Sequence, residues 1–239
     1  FLYTARKPQE CSCDGAKMQA LRKKQQAQAE SREKKEKERA KRIEVMMKSA
    51  GFSGRQMEYE LQGIVMHRGN RLALEQVKKY LQQLDENRKK GIGIYLCGDV
   101  GCGKTHLAVA VAKEAIRAGW SVKFCALIDL LLEMRRCFDD GKSEETVLGS
   151  CCGVDFLVLD DLGKENPKEW GLSVLYNIIN ERYESRRPVI LTSNYAPGEL
   201  VRRLSVGGDE KSARAILDRL TDGCIYLTIE GGSWRGRKE

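Results

Sequence analysis

The stretch that decides the fold is Ile94-Tyr95-Leu96-Cys97-Gly98-Asp99-Val100-Gly101-Cys102-Gly103-Lys104-Thr105-His106-Leu107. A short apolar run, a glycine-rich turn and then helix formers from Leu107 to Ile116 read as strand, turn and helix. Residues Gly98 to Thr105 fit G-x-x-x-x-G-K-[ST] at every fixed position. The chemistry explains the residue types. Gly98, Gly101 and Gly103 let the backbone N–H groups of Asp99, Val100, Cys102 and their neighbours wrap a β-phosphate at a helix N-terminus, where the helix dipole favours anions. Lys104 is placed to bridge the β- and γ-phosphates, and the Thr105 hydroxyl to ligate Mg²⁺. His106, next in line, belongs to the same nucleotide-contacting set. The ligand is ATP or GTP.

Two further apolar runs complete this reading. Phe156-Leu157-Val158-Leu159 reads as a buried parallel strand ending in Asp160-Asp161. A carboxylate at the C-terminal end of a strand beside such a loop is where a Mg²⁺-holding group belongs, which assigns Asp160 to the metal. Asp161 is then the base that orients the attacking water, although it is one methylene shorter than a glutamate. Val189-Ile190-Leu191-Thr192 is a third buried strand, followed by Ser193-Asn194, and the Asn194 amide can touch the γ-phosphate or the lytic water. Cys224 to Ile229 reads as another strand. Taken singly, Arg219 in Ile216-Leu217-Asp218-Arg219-Leu220 and Arg235 in Ser233-Trp234-Arg235 are ordinary surface cations.

Outward from this core the composition changes. The chain has 239 residues, 41% hydrophobic and 32% charged, enough for one well-buried α/β domain and an appendage. Its net charge of +8 is concentrated at one end: residues 1–48 hold 14 Lys+Arg against 7 Asp+Glu, and the remainder 28 against 27. We divide the chain into a basic helical arm over 1–50 and an ATPase domain over 51–239. Leu21 to Lys48 lacks Gly and Pro and predicts a long helix. Arg22 to Arg39 has no apolar stripe, whereas Ile43, Met46, Met47 and Ala50 share one helical face. Such an arm is either a solvated linker or a docking element with its methionine face on a partner and its basic face near nucleic acid. Gly51-Phe52-Ser53-Gly54 ends it. Leu72, Leu74, Val77, Tyr80, Leu81 and Leu84 then recur at helical spacing, predicting a helix packed on the main domain.

Several classes are excluded. There is no run of the 18 or so apolar residues a membrane helix needs, and no signal peptide opens the chain. Nine scattered cysteines in a chain of this size are expected to be reduced cytosolic thiols, not a disulfide scaffold. Phe1 in place of Met reads as the start of a fragment. His67 and His106 have no partners at metal-ligand spacing.

Taken together and in this order, GDVGCGKTHLA, VDFLVLDDLG, LTSN, ILDRL and the closing SWR resemble the AAA+ ATPases of the DnaC/DnaI type, the bacterial and phage helicase loaders, close relatives of the IstB transposition ATPases. The resemblance covers about residues 50–239. It implies an αβα sandwich with a five-stranded parallel sheet, and oligomers with ATP at subunit interfaces. Asn194 then matches sensor 1, Arg219 an arginine finger offered to the neighbouring subunit, and Arg235 sensor 2 acting on its own subunit's phosphates. It further implies a cytoplasmic replication protein whose partners are a hexameric replicative helicase, single-stranded DNA and further copies of itself, with Leu127 to Ser150 as a candidate for DNA contact. An IstB-type ATPase serving a transposase is the alternative, and the motif order argues against a small-molecule kinase. Cys11 and Cys13 resemble the tail of a small zinc-binding cluster in some loaders. Tetrahedral zinc wants four ligands, so the chain as given is expected to hold no complete zinc site.

Overall fold

A computed structural model describes residues 14–139, 144–164, 167–206 and 209–233. Cys11, Cys13, Trp234 and Arg235 lie outside these residues. The chain divides into two units, residues 1–44 and 45–239. The first is the long helix α1 (Asp14–Ser49) up to the boundary, which falls within it. Residues 21–42 of α1 are exposed throughout, as expected for a helix with no apolar stripe. Pairs such as Glu33–Lys37, 2.6 Å apart one turn on, add a few tenths of a kcal/mol each, about 0.3–0.5.

The second unit is a three-layer α/β domain. After the end of α1 come two 3₁₀ turns (Gln56–Glu58 and Leu61–Gly63), then α2 (Arg71–Gln82), α3 (Leu84–Lys90), β1 (Gly93–Gly98), α4 (Lys104–Ala118), β2 (Val122–Ala126), α5 (Leu127–Asp139) and α6 (Glu144–Gly153). The remainder is β3 (Phe156–Leu162), α7 (Glu169–Glu184), β4 (Val189–Ser193), α8 (Pro197–Ser205), α9 (Glu210–Asp222) and β5 (Cys224–Ile229). All five strands pair in parallel, in the order β2-β3-β4-β1-β5. The expected five-stranded parallel sheet is therefore present, and the C-terminal ends of β1, β3 and β4 lie side by side where a doubly wound sheet binds its ligand. Helices cover both faces, which is why β1, β3 and β4 are apolar runs and not alternating sequences. Ile94, Tyr95, Leu96, Leu157, Val158, Leu159, Ile190 and Leu191 are fully buried. Each such side chain contributes about 1.5–3 kcal/mol relative to exposure.

Residues 50–70 form a strap across one face of the domain. At one end the Phe124 N–H in edge strand β2 donates to the Ala50 carbonyl at 2.7 Å, and the Phe52 and Phe124 rings meet at 5.8 Å. At the other end the Glu230 N–H, just past β5, donates to the Gly69 carbonyl at 2.9 Å. The apolar face at the end of α1 belongs to this arrangement. Of the predicted face, Met47 and Ala50 are buried and Ile43 and Met46 half-buried, whereas Val45 is exposed. The predicted helical face in 72–84 also needs one correction. Leu74, Val77, Tyr80 and Leu84 are buried, but Leu72 is 75% exposed and Ala73 takes the inward place, because the inner face of α2 runs 73, 74, 77, 80 and position 72 falls on the opposite side.

Candidate nucleotide site

The glycine-rich turn joins β1 to α4 as the sequence predicts. Gly101 and Gly103 have φ of +82° and +104°, a region that a side chain disfavours. A Cβ on Gly101 would run into the Ser233 hydroxyl, so Ser233 lies directly against the loop. Asp99, Val100 and Gly103 are exposed on the loop, while Cys102 is 3% exposed and packs inward.

Lys104 is almost fully buried, and its ammonium donates to the carbonyls of Gly98 and Asp99, both at 2.8 Å, and to Asn194 Oδ1 at 2.7 Å. The amide of Asn194 reaches the other way, with Nδ2 donating to Asp161 Oδ1 at 3.4 Å. The Thr105 hydroxyl donates to Asp160 Oδ1 at 2.9 Å. Five of the residues picked from sequence, Lys104, Thr105, Asp160, Asp161 and Asn194, thus form one connected cluster at the ends of three neighbouring strands.

How the Asp160-Asp161 pair is aimed was not legible in the sequence. The pairing of β3 with β4 shifts between Leu159 and Leu162: Leu159 faces Leu191 but Leu162 faces Ser193, so three steps on β3 match two on β4. This is a bulge, and Asp161 at φ +57° is its strained residue. Thr192, fully buried, closes the gap: its Oγ1 accepts the Asp161 N–H at 2.8 Å and donates to Asp160 Oδ1 at 2.7 Å. Burial pushes the Asp160 carboxyl above its ordinary range. The hydroxyls of Thr192 and Thr105 pull it down and the Asp161 charge pushes it up, with burial prevailing. A half-buried, under-neutralised carboxylate sharing a hydrogen bond with a threonine hydroxyl is a donor set that suits a hard divalent cation, so Thr105 and Asp160 fit Mg²⁺.

Beside the loop lies a cavity of about 150 Å³, lined by Ile64, Val65, Leu74, Leu107 and Ile229 and floored by Cys102 and Gly103. An apolar cavity of that size accepts an aromatic ring. Its outer wall is the strap, which sequence reasoning assigned only to packing; the one available signal was the apolar pair Ile64-Val65 in a polar stretch. His106 also borders the cavity, but its ring stacks on Tyr59 at 4.4 Å and its Nε2 lies 3.0 Å from the Glu60 carbonyl.

Arg219 is elsewhere. It sits near the end of α9, before β5, with Nε on Asn180 Oδ1 at 2.9 Å and its guanidinium over Tyr176 and Tyr183 at 5.3 and 6.0 Å. Its neighbours Gly91, Val189 and Gly223 mark the N-terminal edge of the sheet. The strand β1, roughly 17 Å long at 3.3 Å per residue, separates that edge from Lys104. Among the described residues of Leu127 to Ser150, Leu127, Leu130, Met134 and Val147 are buried, while Ile128, Leu132, Arg135 and Arg136 face outward on α5. Among the described residues no helix is long and apolar enough to cross a membrane.

Residues 19–239 match the family model of the IstB-like ATP-binding protein. The chain is 35% identical over 146 residues to the IS5376 putative ATP-binding protein of Geobacillus stearothermophilus, covering 61% of this chain and 56% of that protein. It is 28% identical over 171 residues to the replicative helicase loader DnaC of Escherichia coli K12, covering 71% of this chain and 65% of the loader. The chain therefore spans less than two thirds of the length of either. A crystal structure of the DnaC helicase loader superposes with a TM-score of 0.65 at 25% identity, covering 74% of this chain and 99% of that one. Fold, loop and sequence agree: the chain belongs to the IstB-like ATP-binding protein family, AAA+ P-loop ATPases that include relatives of the DnaC type.

Proposed function

We propose that this chain is an ATP-hydrolysing switch that delivers a hexameric replicative helicase onto single-stranded DNA, with each ATP held between two subunits. The observation that carries this reading is the split between the two halves of the catalytic apparatus. Lys104, Thr105, Asp160, Asp161 and Asn194 converge at the C-terminal ends of the strands, while Arg219 lies a strand's length away.

In this reading Lys104 and the loop N–H groups hold the β- and γ-phosphates, and Arg235, in the tail beyond Ser233, serves the same phosphates. Asp161 orients the attacking water, and Asn194 links it to Lys104, so that base and phosphate anchor are positioned as one unit. Thr105 and Asp160 hold Mg²⁺, which offsets charge on the phosphate oxygens when bound. Arg219 completes the neighbouring subunit's site, a contribution typically worth about 10³–10⁵ in rate. Hydrolysis then requires assembly. The exposed Arg135 and Arg136 on α5 are the candidate contacts to single-stranded DNA.

The similarity to DnaC supports a helicase as client, and the higher identity to the insertion-sequence protein supports a transposase as the second reading. Light scattering after size exclusion, with Mg²⁺ and ATP, separates them. A defined complex with a hexameric replicative helicase is expected; free elution beside the helicase, with a complex formed on an IS21-type transposase, overturns the loader reading. For the split site, Arg219→Ala should bind ATP without hydrolysing it, and mixing it with Lys104→Ala should restore part of the activity. Mixtures as inactive as their components would refute action between subunits.

A further inference from the structure

Helix α4 carries a second set of polar side chains that the phosphate chemistry does not use. His106, Lys113 and Arg117 are spaced i, i+7, i+11, which places them on one face of the helix. All three grip the strap. Lys113 is only 3% exposed, yet its ammonium donates to the Met57 carbonyl at 2.9 Å and the Tyr59 carbonyl at 3.0 Å, and it makes a short ion pair with Glu60. Arg117 donates to both oxygens of Glu60, at 2.9 and 2.8 Å, and to Glu114 at 2.6 Å. His106 takes the Glu60 carbonyl and the face of Tyr59.

A lysine buried this deeply costs several kcal/mol in desolvation unless its hydrogen bonds are met. Here they are met almost wholly by the strap. Four residues past Glu60 the strap becomes Ile64-Val65, the outer wall of the cavity beside the P-loop. That wall is fixed from within as well: Asn70 Nδ2 donates to the Val65 carbonyl at 2.9 Å, and its Oδ1 accepts the His67 N–H at 2.8 Å. The wall is otherwise an irregular segment.

We infer that Lys113, Glu60 and Arg117 are positioning residues for the nucleotide's purine base: they hold the strap as the wall of the base cavity and so set how much of the affinity comes from the base and how much from the phosphates. This rests on the nucleotide-binding reading above. The clamp is set apart from the phosphate anchor: Lys113 lies nine residues along α4 from Lys104, about 13 Å at 1.5 Å per residue. Its loss should therefore remove the base's share of binding and leave the phosphate share intact.

The test is calorimetric titration of the full chain with Mg²⁺ and either ATP or inorganic tripolyphosphate, which carries the phosphates without a base. Lys113→Met should weaken ATP by about tenfold or more, with tripolyphosphate binding within twofold of wild type, and should bring ATP and tripolyphosphate closer together. Glu60→Gln, which keeps an acceptor oxygen but removes the charge, should lose less, and Glu60→Ala should match Lys113→Met. Should Lys113→Met fail to fold, the Glu60 pair carries the same comparison. Equal losses for both ligands, or no loss for either, would overturn the inference. A wild-type chain binding tripolyphosphate as tightly as ATP would overturn it too, leaving the phosphate site standing. Binding of neither ligand would instead sink the nucleotide reading itself.

Discussion

Replacing Thr192 with valine changes one oxygen for one methyl at the centre of the site, and the structure allows its cost to be worked out. The hydroxyl accepts the Asp161 N–H and donates to Asp160, both within 2.8 Å, with Thr192 fully buried and the two aspartates half-buried. Valine leaves a part-buried N–H unsatisfied, about 1–3 kcal/mol, and takes a charge-assisted bond from a carboxylate already short of stabilisation, about 1.5–3 kcal/mol. Some of this returns as burial of the added methyl, so a net loss near 3 kcal/mol is expected, or a fall in melting temperature of roughly 6–12 °C for a domain of this size. Activity should fall further than stability suggests, by about a hundredfold, because the bulge that aims Asp161 loses the hydroxyl that ties both aspartates to β4, leaving the Ser193 hydroxyl on the Leu162 carbonyl as the remaining tie beneath it. Thr192→Ser keeps both bonds and should cost no more than about 1 kcal/mol. Thermal unfolding and steady-state ATP hydrolysis of the two variants decide the matter. If valine lies within about 0.5 kcal/mol of wild type, or serine is as damaging as valine, the hydroxyl does not hold the bulge.

Two other measurements probe the scaffold. Burial alone would raise the Glu60 carboxyl, but the bonds from Lys113 and Arg117 outweigh it and leave it below 4.5, its ordinary value. A depressed carboxyl stabilises the fold fully above that value, and the contribution is lost as pH falls through the folded pKa. The stability gap between wild type and Glu60→Gln should thus shrink on acidification below about pH 4.5, and a gap constant with pH would refute the pairing. Arg182, fully buried in α7, donates to the carbonyls of Cys151, Val154, Asp155 and Pro188 at 2.6–3.0 Å. Arg182→Met should strand these carbonyls ahead of β3 and β4 and destabilise the domain by about 3 kcal/mol in urea titration; a stability equal to wild type would show that relaxation or water replaces the guanidinium.

The strands and the phosphate loop were legible because their physics is local. A run such as Phe156 to Leu159 has few uses other than a strand covered on both sides, and glycines spaced as in Gly98 to Gly103 constrain the backbone directly. What stayed hidden depended on depth and register. Thr192 reads as one more β-branched residue until the extra step in β3 brings its hydroxyl under Asp161. Lys113 reads as the polar face of a helix; only the strap lying over it makes it a buried cation. Leu72 and Ala73 exchange the places that hydrophobicity assigns them because, at 100° per residue, position 73 shares the face of 77 and 80 and position 72 does not. Arg219 could be singled out by resemblance, but its distance from Lys104 is a property of the sheet, since the residues before a parallel strand and those after it lie at opposite ends.

The strap has a consequence for anyone who cuts this chain to its recognisable core. A fragment beginning at Ile92 would keep every motif that betrays a nucleotide site, yet it would lose the backbone contacts to Phe124 in β2 and to Glu230 just past β5. Those are the two margins of the sheet. Stripped of residues 50–70, the fragment would leave the Phe124 and Glu230 N–H groups open, one at each margin, and its edges would be more exposed to pairing with other molecules. The residues with the least recognisable sequence are thus the ones that close a backbone hydrogen bond at each margin of the ATP-binding core.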